Sequence, residues 1–377
     1  MKRALHVLTD TNIGGAGRHV LTLLDATDSE TFALSVVVPT GAAIIPHLQA
    51  RGVPFYTAEG IADRSFSGQG VRALARVFKK ISPDMVHTHG AFSGRVAARW
   101  CGIPCVATRH SVFPPSPTSM RFPLKQVLGA ANHFFSQRII AVSPAAKENL
   151  TQTGVRPNHI DVIYNGVPTP RVCSRSERKA IRARYGIAED AFVVAHIARL
   201  TAVKGHEYTL DAAKLCAADA ETVFLIAGDG PEEARLRRRV LDEGLDNVVF
   251  AGFVEAVEEI ENIMDLQINA SYGTEATSLS LLEGLGLGVP AVVSRFGGNP
   301  YVIRHEVNGL LVLQKDAAAL AGGILRIKND AALYASLSEG AAQEYADRFR
   351  DTIMSREITT LYQTVLAGSA KGENNGK

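Results

Sequence analysis

Nowhere in this chain do about twenty apolar residues follow one another, so no membrane-spanning helix is expected. The opening Met-Lys-Arg-Ala-Leu-His-Val-Leu-Thr-Asp holds an apolar run too short for a secretory signal and reads as a first strand. Cysteine is scarce: Cys101, Cys105, Cys173 and Cys216 lack the Cys-x2-Cys pairing of a structural zinc site and are too few for a disulfide scaffold. They read as reduced, mostly buried thiols of a cytoplasmic protein. A surplus of charge is missing as well. Lys and Arg number 40 against 38 acidic residues, so no bulk field points to nucleic acid as a partner. What is present is 46% hydrophobic and 21% charged residues, the balance of a soluble globular protein. At 377 residues the chain exceeds the usual size of one core, which suggests two domains.

Short apolar runs alternate with longer helical patterns, the signature of a parallel sheet wrapped by helices. Residues 5–8, 34–38, 85–87, 105–107, 138–142 and 161–163 read as strands of a first domain; 192–197, 222–227, 248–251, 266–269, 291–293 and 309–312 read as strands of a second. Between the sets, residues 167–179 hold two prolines and a run of polar and basic residues, the expected linker. The expected fold class is α/β, with two Rossmann-like doubly wound domains, 1–170 and 171–350, facing each other across a cleft. Ligands of such sheets bind at the carboxyl ends of the strands. A helix is expected over 351–366, and the small polar tail 367–377 is expected to be disordered.

The richest stretch is 269–299. Residues 275–283 read Glu-Ala-Thr-Ser-Leu-Ser-Leu-Leu-Glu and precede Gly-Val-Pro-Ala-Val-Val-Ser and then a Gly-Gly pair. Small polar residues followed by Leu and Ser over 277–287 predict a helix, with Glu275 in the loop ahead of it and Glu283 about two turns inside. A rise of roughly 1.5 Å per residue sets the two carboxylates about 10 Å apart along the axis. Between them lies a helix N-terminus, whose free amides and partial positive charge suit a phosphate. A sugar nucleotide has the matching order of groups. Glu275 would accept hydrogen bonds from the sugar, the helix start near Ser278 and Leu279 would hold the diphosphate, and Glu283 would accept from the ribose.

The same segment resembles the Glu-x7-Glu motif of retaining GT-B glycosyltransferases of the GT4 type, in which Pro and Gly-Gly follow the second Glu; Glu275, Glu283, Pro290, Gly297 and Gly298 match in order. The chain departs from that pattern at Ala276 and Ser278, where the family has Gly, and at Tyr301, where it has Glu. Those departures bear on the shape of the sugar pocket. The resemblance implies a GT-B fold, whose last helix, here 351–366, crosses back to the first domain.

Other motifs fall after predicted strands. Thr11-Asn12-Ile13-Gly14-Gly15-Ala16-Gly17 leads into an apolar helix, and the resemblance places Gly15 by the donor and Asn12 and Gly14 on the acceptor side. Arg199 and Lys204 match the family's Arg-Leu and Lys-Gly positions, where two cations can neutralise charge growing on a departing diphosphate. Gly228 opens a Gly-Asp-Gly turn similar to the one beside the nucleoside. Phe253 and Val254 sit where relatives hold the base, with plain core as the alternative for Phe253. His89 ends a His-Thr-His run and would face the acceptor, and His110 matches a His near the reacting sugar, as a neutral or a charged imidazole. The His-x-His pair lacks a nearby carboxylate or Cys to complete a ligand set, so no metal is expected.

No Asp-x-Asp occurs, so nothing signals a metal–diphosphate clamp. The expectation is a metal-independent retaining hexosyltransferase without a cofactor, using a UDP- or GDP-sugar donor and a glycan or lipid-linked acceptor in cell-surface polysaccharide or glycolipid synthesis. Residues 112–140, proline-rich and then basic and apolar, suggest peripheral contact with the inner face of a membrane, against ordinary core packing as the alternative. A glycoside hydrolase also needs two carboxylates but no phosphate site between them. A sugar-nucleotide epimerase and a non-catalytic nucleotide-sugar-binding protein of the same shape remain alternatives.

Overall fold

The computed structural model describes residues 1–374. It divides into two units, Met1–Gly166 with Asp351–Lys377, and Val167–Arg350. The first unit holds seven strands, β1 (Lys2–Leu8), β2 (Phe32–Pro39), β3 (Phe55–Ala58), β4 (Met85–His89), β5 (Cys105–Arg109), β6 (Arg138–Ala141) and β7 (Ile160–Val162). They pair in parallel in the order β3-β2-β1-β4-β5-β6-β7. The second unit holds β8 (Phe192–Ile197), β9 (Thr222–Ala227), β10 (Val248–Gly252), β11 (Leu266–Asn269), β12 (Ala291–Ser294) and β13 (Gly309–Val312), also parallel, in the order β10-β9-β8-β11-β12-β13.

Helices cover both faces of such sheets, which is why the central strands are continuous apolar runs rather than alternating ones. Val36–Val38 and Val292–Val293 are fully buried. β3 was not legible in the sequence: it is a four-residue edge strand in which only Ala58 is buried. In each unit the strand order reverses beside the first strand, between β1 and β4 and between β8 and β11. At such a switch point the loops leaving neighbouring strands diverge to opposite faces and leave a crevice at their carboxyl ends.

The Asp351–Asn374 helix belongs to the first unit. Its stripe of Met354, Ile358, Leu361, Tyr362 and Val365, spaced for one helical face, packs with Leu23, Phe32 and Met85. It runs past the end expected at 366, to Asn374; residues 375–377 of the tail lie outside the described residues. The stretch read as a linker is shorter than expected. The Arg175–Arg184 helix starts inside it on a Ser174–Glu177 capping box. Ahead of that helix, Val167 donates its N–H to Phe349 O at 2.9 Å and accepts from Tyr345 Oη at 3.2 Å.

Candidate functional site

The sheet order of the second unit brings the loops after β8 and β11 side by side, and the two chain segments meet in one ion pair. Lys204 Nζ lies 2.8 Å from Glu275 Oε2. Asn269 Nδ2 at 3.1 Å and Ser271 Oγ at 3.2 Å donate to the same oxygen. Three donors on one oxygen fix a carboxylate that is only 5% exposed, so its direction is set by the fold rather than by solvent. Sequence reasoning singled out Glu275 and Lys204 but not Asn269 and Ser271. Their part depends on the loop after β11 folding back on itself, for which spacing carries no signal.

The Gly297–Gly298 pair acts on the backbone of Glu275. Gly298 N–H donates to Glu275 O at 2.9 Å. A Cβ on Gly298 would collide with the Ala276 carbonyl, and one on Gly297, which has φ +56°, with the Glu275 carbonyl. Only glycine lets these two loops lie in contact. Ala276 is buried beneath them, and Tyr301, in the short Asn299–Val302 helix, is partly exposed with its carbonyl accepting from Arg348 Nη2 at 3.0 Å.

The helix after Glu275 is Leu279–Gly286, capped by Ser278, whose Oγ accepts from Leu281 N. Glu283 is therefore about one turn inside, not two, because the helix starts two residues later than the sequence pattern suggested. Ser280 Oγ donates to Ile197 O at 3.1 Å and ties the helix start to the end of β8. Among the described residues no partner takes the amides of Leu279 and Ser280. These two N–H groups and the partial positive charge of the helix lie beside the strand that leads to Arg199 and Lys204. Arg199 is exposed.

Gly228 has φ +135°, and a Cβ there would strike the Ala198 carbonyl. Leu200 N–H donates to Asp229 O at 2.6 Å and Glu232 N–H to Leu200 O at 3.0 Å, so the Gly-Asp-Gly turn props the loop that carries Arg199. Phe253 is exposed at the end of β10 and not core, while Val254 is half-buried against the apolar cluster of Val193 and Leu225.

In the first unit, Asn12, Gly14 and Gly15 are exposed in the loop after β1, and the Gly15–Ala26 helix starts without a side-chain cap. Beneath it lies a cluster of five imidazoles, of which the sequence drew attention only to His89 and His110. A hydrogen-bonded chain runs from Thr108 Oγ1 to His87 (2.6 Å), Tyr362 Oη (2.5 Å), His6 (3.5 Å), His89 (3.0 Å) and His110 (2.9 Å). His19 packs edge-on against His110 and donates from Nδ1 to Asn165 Oδ1 at 2.9 Å. Burial pushes His6 down to about 3 and His19 to about 4, and holds His87, His89 and His110 well below the usual imidazole range, so all five are neutral near pH 7.

The expectation that His89 itself meets the acceptor is corrected. It is buried, and both its ring nitrogens are bonded to other imidazoles, so it holds His110 in place. Two sets of three, His6/His87/His89 and His19/His89/His110, bring candidate ligand nitrogens within 4.8 Å of one another. No carboxylate joins either set, and most of these nitrogens already have partners, four of them another imidazole and four Tyr362, Thr108 or Asn165.

Residues 177–344 match the family described as Glycosyl transferases group 1, and residues 13–171 match Glycosyltransferase Family 4. The chain is 28% identical over 319 residues to N-acetyl-alpha-D-glucosaminyl L-malate synthase of Bacillus anthracis, covering 81% of this chain and 80% of that one. It is 27% identical over 282 residues to the Escherichia coli UDP-Gal:alpha-D-GlcNAc-diphosphoundecaprenol alpha-1,3-galactosyltransferase, 69% of this chain and 70% of the relative. Among solved structures, Anabaena Alr3699/HepE in complex with UDP and glucose superposes with a TM-score of 0.83 at 22% identity, over 96% of this chain and 100% of the other. No helix among the described residues is long and apolar enough to cross a membrane.

Proposed function

The chain belongs to the GT4-type glycosyltransferases and has their GT-B fold, and from that premise we propose that it moves a hexose-type sugar from a UDP- or GDP-sugar to a glycan or lipid-linked acceptor, with retention of anomeric configuration. The observation that carries this reading is the fixed Glu275 carboxylate beside Lys204 and the unpartnered amides of Leu279 and Ser280. An anion acceptor and a hydroxyl acceptor then stand next to each other, as a sugar diphosphate requires. Both curated relatives act on a GlcNAc-bearing substrate or product by name, and one is named for a UDP-sugar and a diphosphoundecaprenol-linked acceptor.

In this mechanism Arg199, Lys204 and the two helix amides take the charge that grows on the diphosphate as its bond to the anomeric carbon breaks. The acceptor oxygen bonds to that carbon on the face the diphosphate leaves, and its proton passes to the departing phosphate oxygen. No metal or cofactor is assigned a part. Glu275 positions sugar hydroxyls and is not a nucleophile. Glu283 accepts from the ribose, with Gly228, Phe253 and Val254 beside the nucleoside and Gly15 near the phosphates. His110, neutral and steadied by His89, hydrogen-bonds the reacting sugar, while Asn12 and Gly14 serve the acceptor.

Incubation with UDP- and GDP-sugars and an acceptor panel, followed by mass spectrometry, tests the reading. Transfer should depend on acceptor, and Glu275→Ala should lower turnover on the order of 10²-fold or more while nucleotide affinity by calorimetry stays near wild type. Glu283→Ala should instead weaken nucleotide binding. Wild-type turnover in Glu275→Ala would remove the assignment.

A further inference from the structure

The helix between β5 and β6 carries its apolar side outward. Within Leu124–Phe135 only Gly129 is fully buried. Leu124, Val127 and Phe134, spaced three and seven apart, line one helical face, with Val127 59% and Phe134 58% exposed. The preceding loop adds Phe113, Met120 and Phe122, the last 81% exposed. An amphipathic helix of a soluble protein normally turns such a stripe to the core. Here the core reading of these positions fails.

Charge singles out the same region. Residues 64–147 hold twelve Lys and Arg and a single acid, Asp84, whereas the remainder of the chain holds 28 basic against 37 acidic residues. Arg138 is paired with Asp161 and Arg95 donates to Asn132, but Arg121 and Lys125 flank the stripe, and the Arg99 guanidinium lies 4.7 Å from the centre of the Phe134 ring. From Phe134 an edge-to-face series of rings runs through Phe135 and Phe92 to Phe66, at 4.9, 5.5 and 6.3 Å between centres. Apolar surface thus continues onto the neighbouring elements.

Exposed rings set among cations without acids fit a partner with an apolar layer beneath a negative one. A second copy of this chain is a poor fit, because two-fold pairing would set the same cationic face against itself. We propose that this face of the first unit docks on an anionic lipid bilayer, with Phe122, Val127 and Phe134 entering the boundary between headgroups and acyl chains and Arg99, Arg121 and Lys125 meeting lipid phosphates. The inference stands apart from the proposed reaction, since nucleotide binding is read separately.

The full-length chain is sedimented with sucrose-loaded vesicles of phosphatidylglycerol and phosphatidylcholine, or of phosphatidylcholine alone. Binding should favour the anionic vesicles and weaken with salt. Val127→Glu/Phe134→Glu should abolish it, and Arg121→Glu/Lys125→Glu should weaken it roughly tenfold or more. Circular dichroism and nucleotide calorimetry should match wild type in both. Trp100, exposed beside Arg99 and the single tryptophan, should shift its emission to the blue only with anionic vesicles. Equal sedimentation with both vesicle types, or undiminished binding by Val127→Glu/Phe134→Glu, overturns the proposal. So does lipid-independent self-association that this variant removes, which would give the face to a second copy.

Discussion

Glu275 owes its direction to residues that touch only its backbone as much as to its ion pair. Gly298 lies where any side chain would press on the Ala276 carbonyl, so Gly298→Ala should push the Ala276–Thr277 peptide away and, through the adjoining loop, swing the Glu275 carboxylate off Lys204. Overpacking of this kind costs about 1–3 kcal/mol. Thermal melts should show that loss, and kcat/KM should fall at least tenfold with a smaller change in nucleotide affinity. Normal turnover in a folded Gly298→Ala protein would show that the glycine pair does not aim the carboxylate. The Gly-Gly motif was visible in the sequence. Its physical role was not, because the carbonyls it meets lie about twenty residues away in the chain.

The C-terminal helix is held in the first unit by an apolar stripe and by polar contacts, Ser355 Oγ lying 2.9 Å from Thr27 Oγ1 and Tyr362 reaching the buried imidazoles. Tyr362 Oη joins the imidazoles of His87 and His6. Tyr362→Phe keeps the packing against Phe32 but strands a buried nitrogen of His87, which should lower stability by about 1–3 kcal/mol. Urea denaturation should show a lower midpoint at an unchanged slope. A midpoint equal to wild type would mean that the bond adds nothing net. Strand positions were largely legible because buried parallel strands are uninterrupted apolar runs. The edge strand β3 escaped because four residues with one buried side chain leave no pattern, and the sequence left the Leu124–Phe135 helix between membrane contact and core packing, because spacing alone does not say which way an apolar stripe faces.

Taken as a whole, the protein carries buried neutral histidines in both units. His6 is pushed down to about 3, His19 to about 4 and His206 to about 3, and burial holds His196 well below the usual range. In the unfolded chain these imidazoles take up protons near pH 6.5. Between about pH 6.5 and pH 4 the unfolded state therefore binds more protons than the folded one, and stability falls as pH falls. Each such group removes up to about 1.4 kcal/mol per pH unit. Melting temperature should be nearly flat from pH 8 to 7 and drop steeply below 6.5, in both transitions if the two units melt separately. His6→Gln should shallow that slope for the first unit. Equal melting at pH 7 and pH 5 would show that the imidazoles are not held neutral by burial.

By itself the sequence settled the α/β class, the two sheets and most of their strands, which follow from local periodicity, strand length and turn chemistry acting over a few residues. Glu275, Lys204 and Arg199 were singled out by their motifs and the resemblance these carry, and the helix start was set two residues early. Only the tertiary structure decided that Lys204 and Glu275, 71 residues apart, form one pair, that imidazoles from β1, β4 and the loop after β5 join Tyr362 of the last helix, and that an apolar stripe faces outward. The reason is the order of strands in the sheet, since β1 lies beside β4 and β8 beside β11. That order is a contest among many long-range pairings, each worth little alone, and no single stretch of sequence records its outcome.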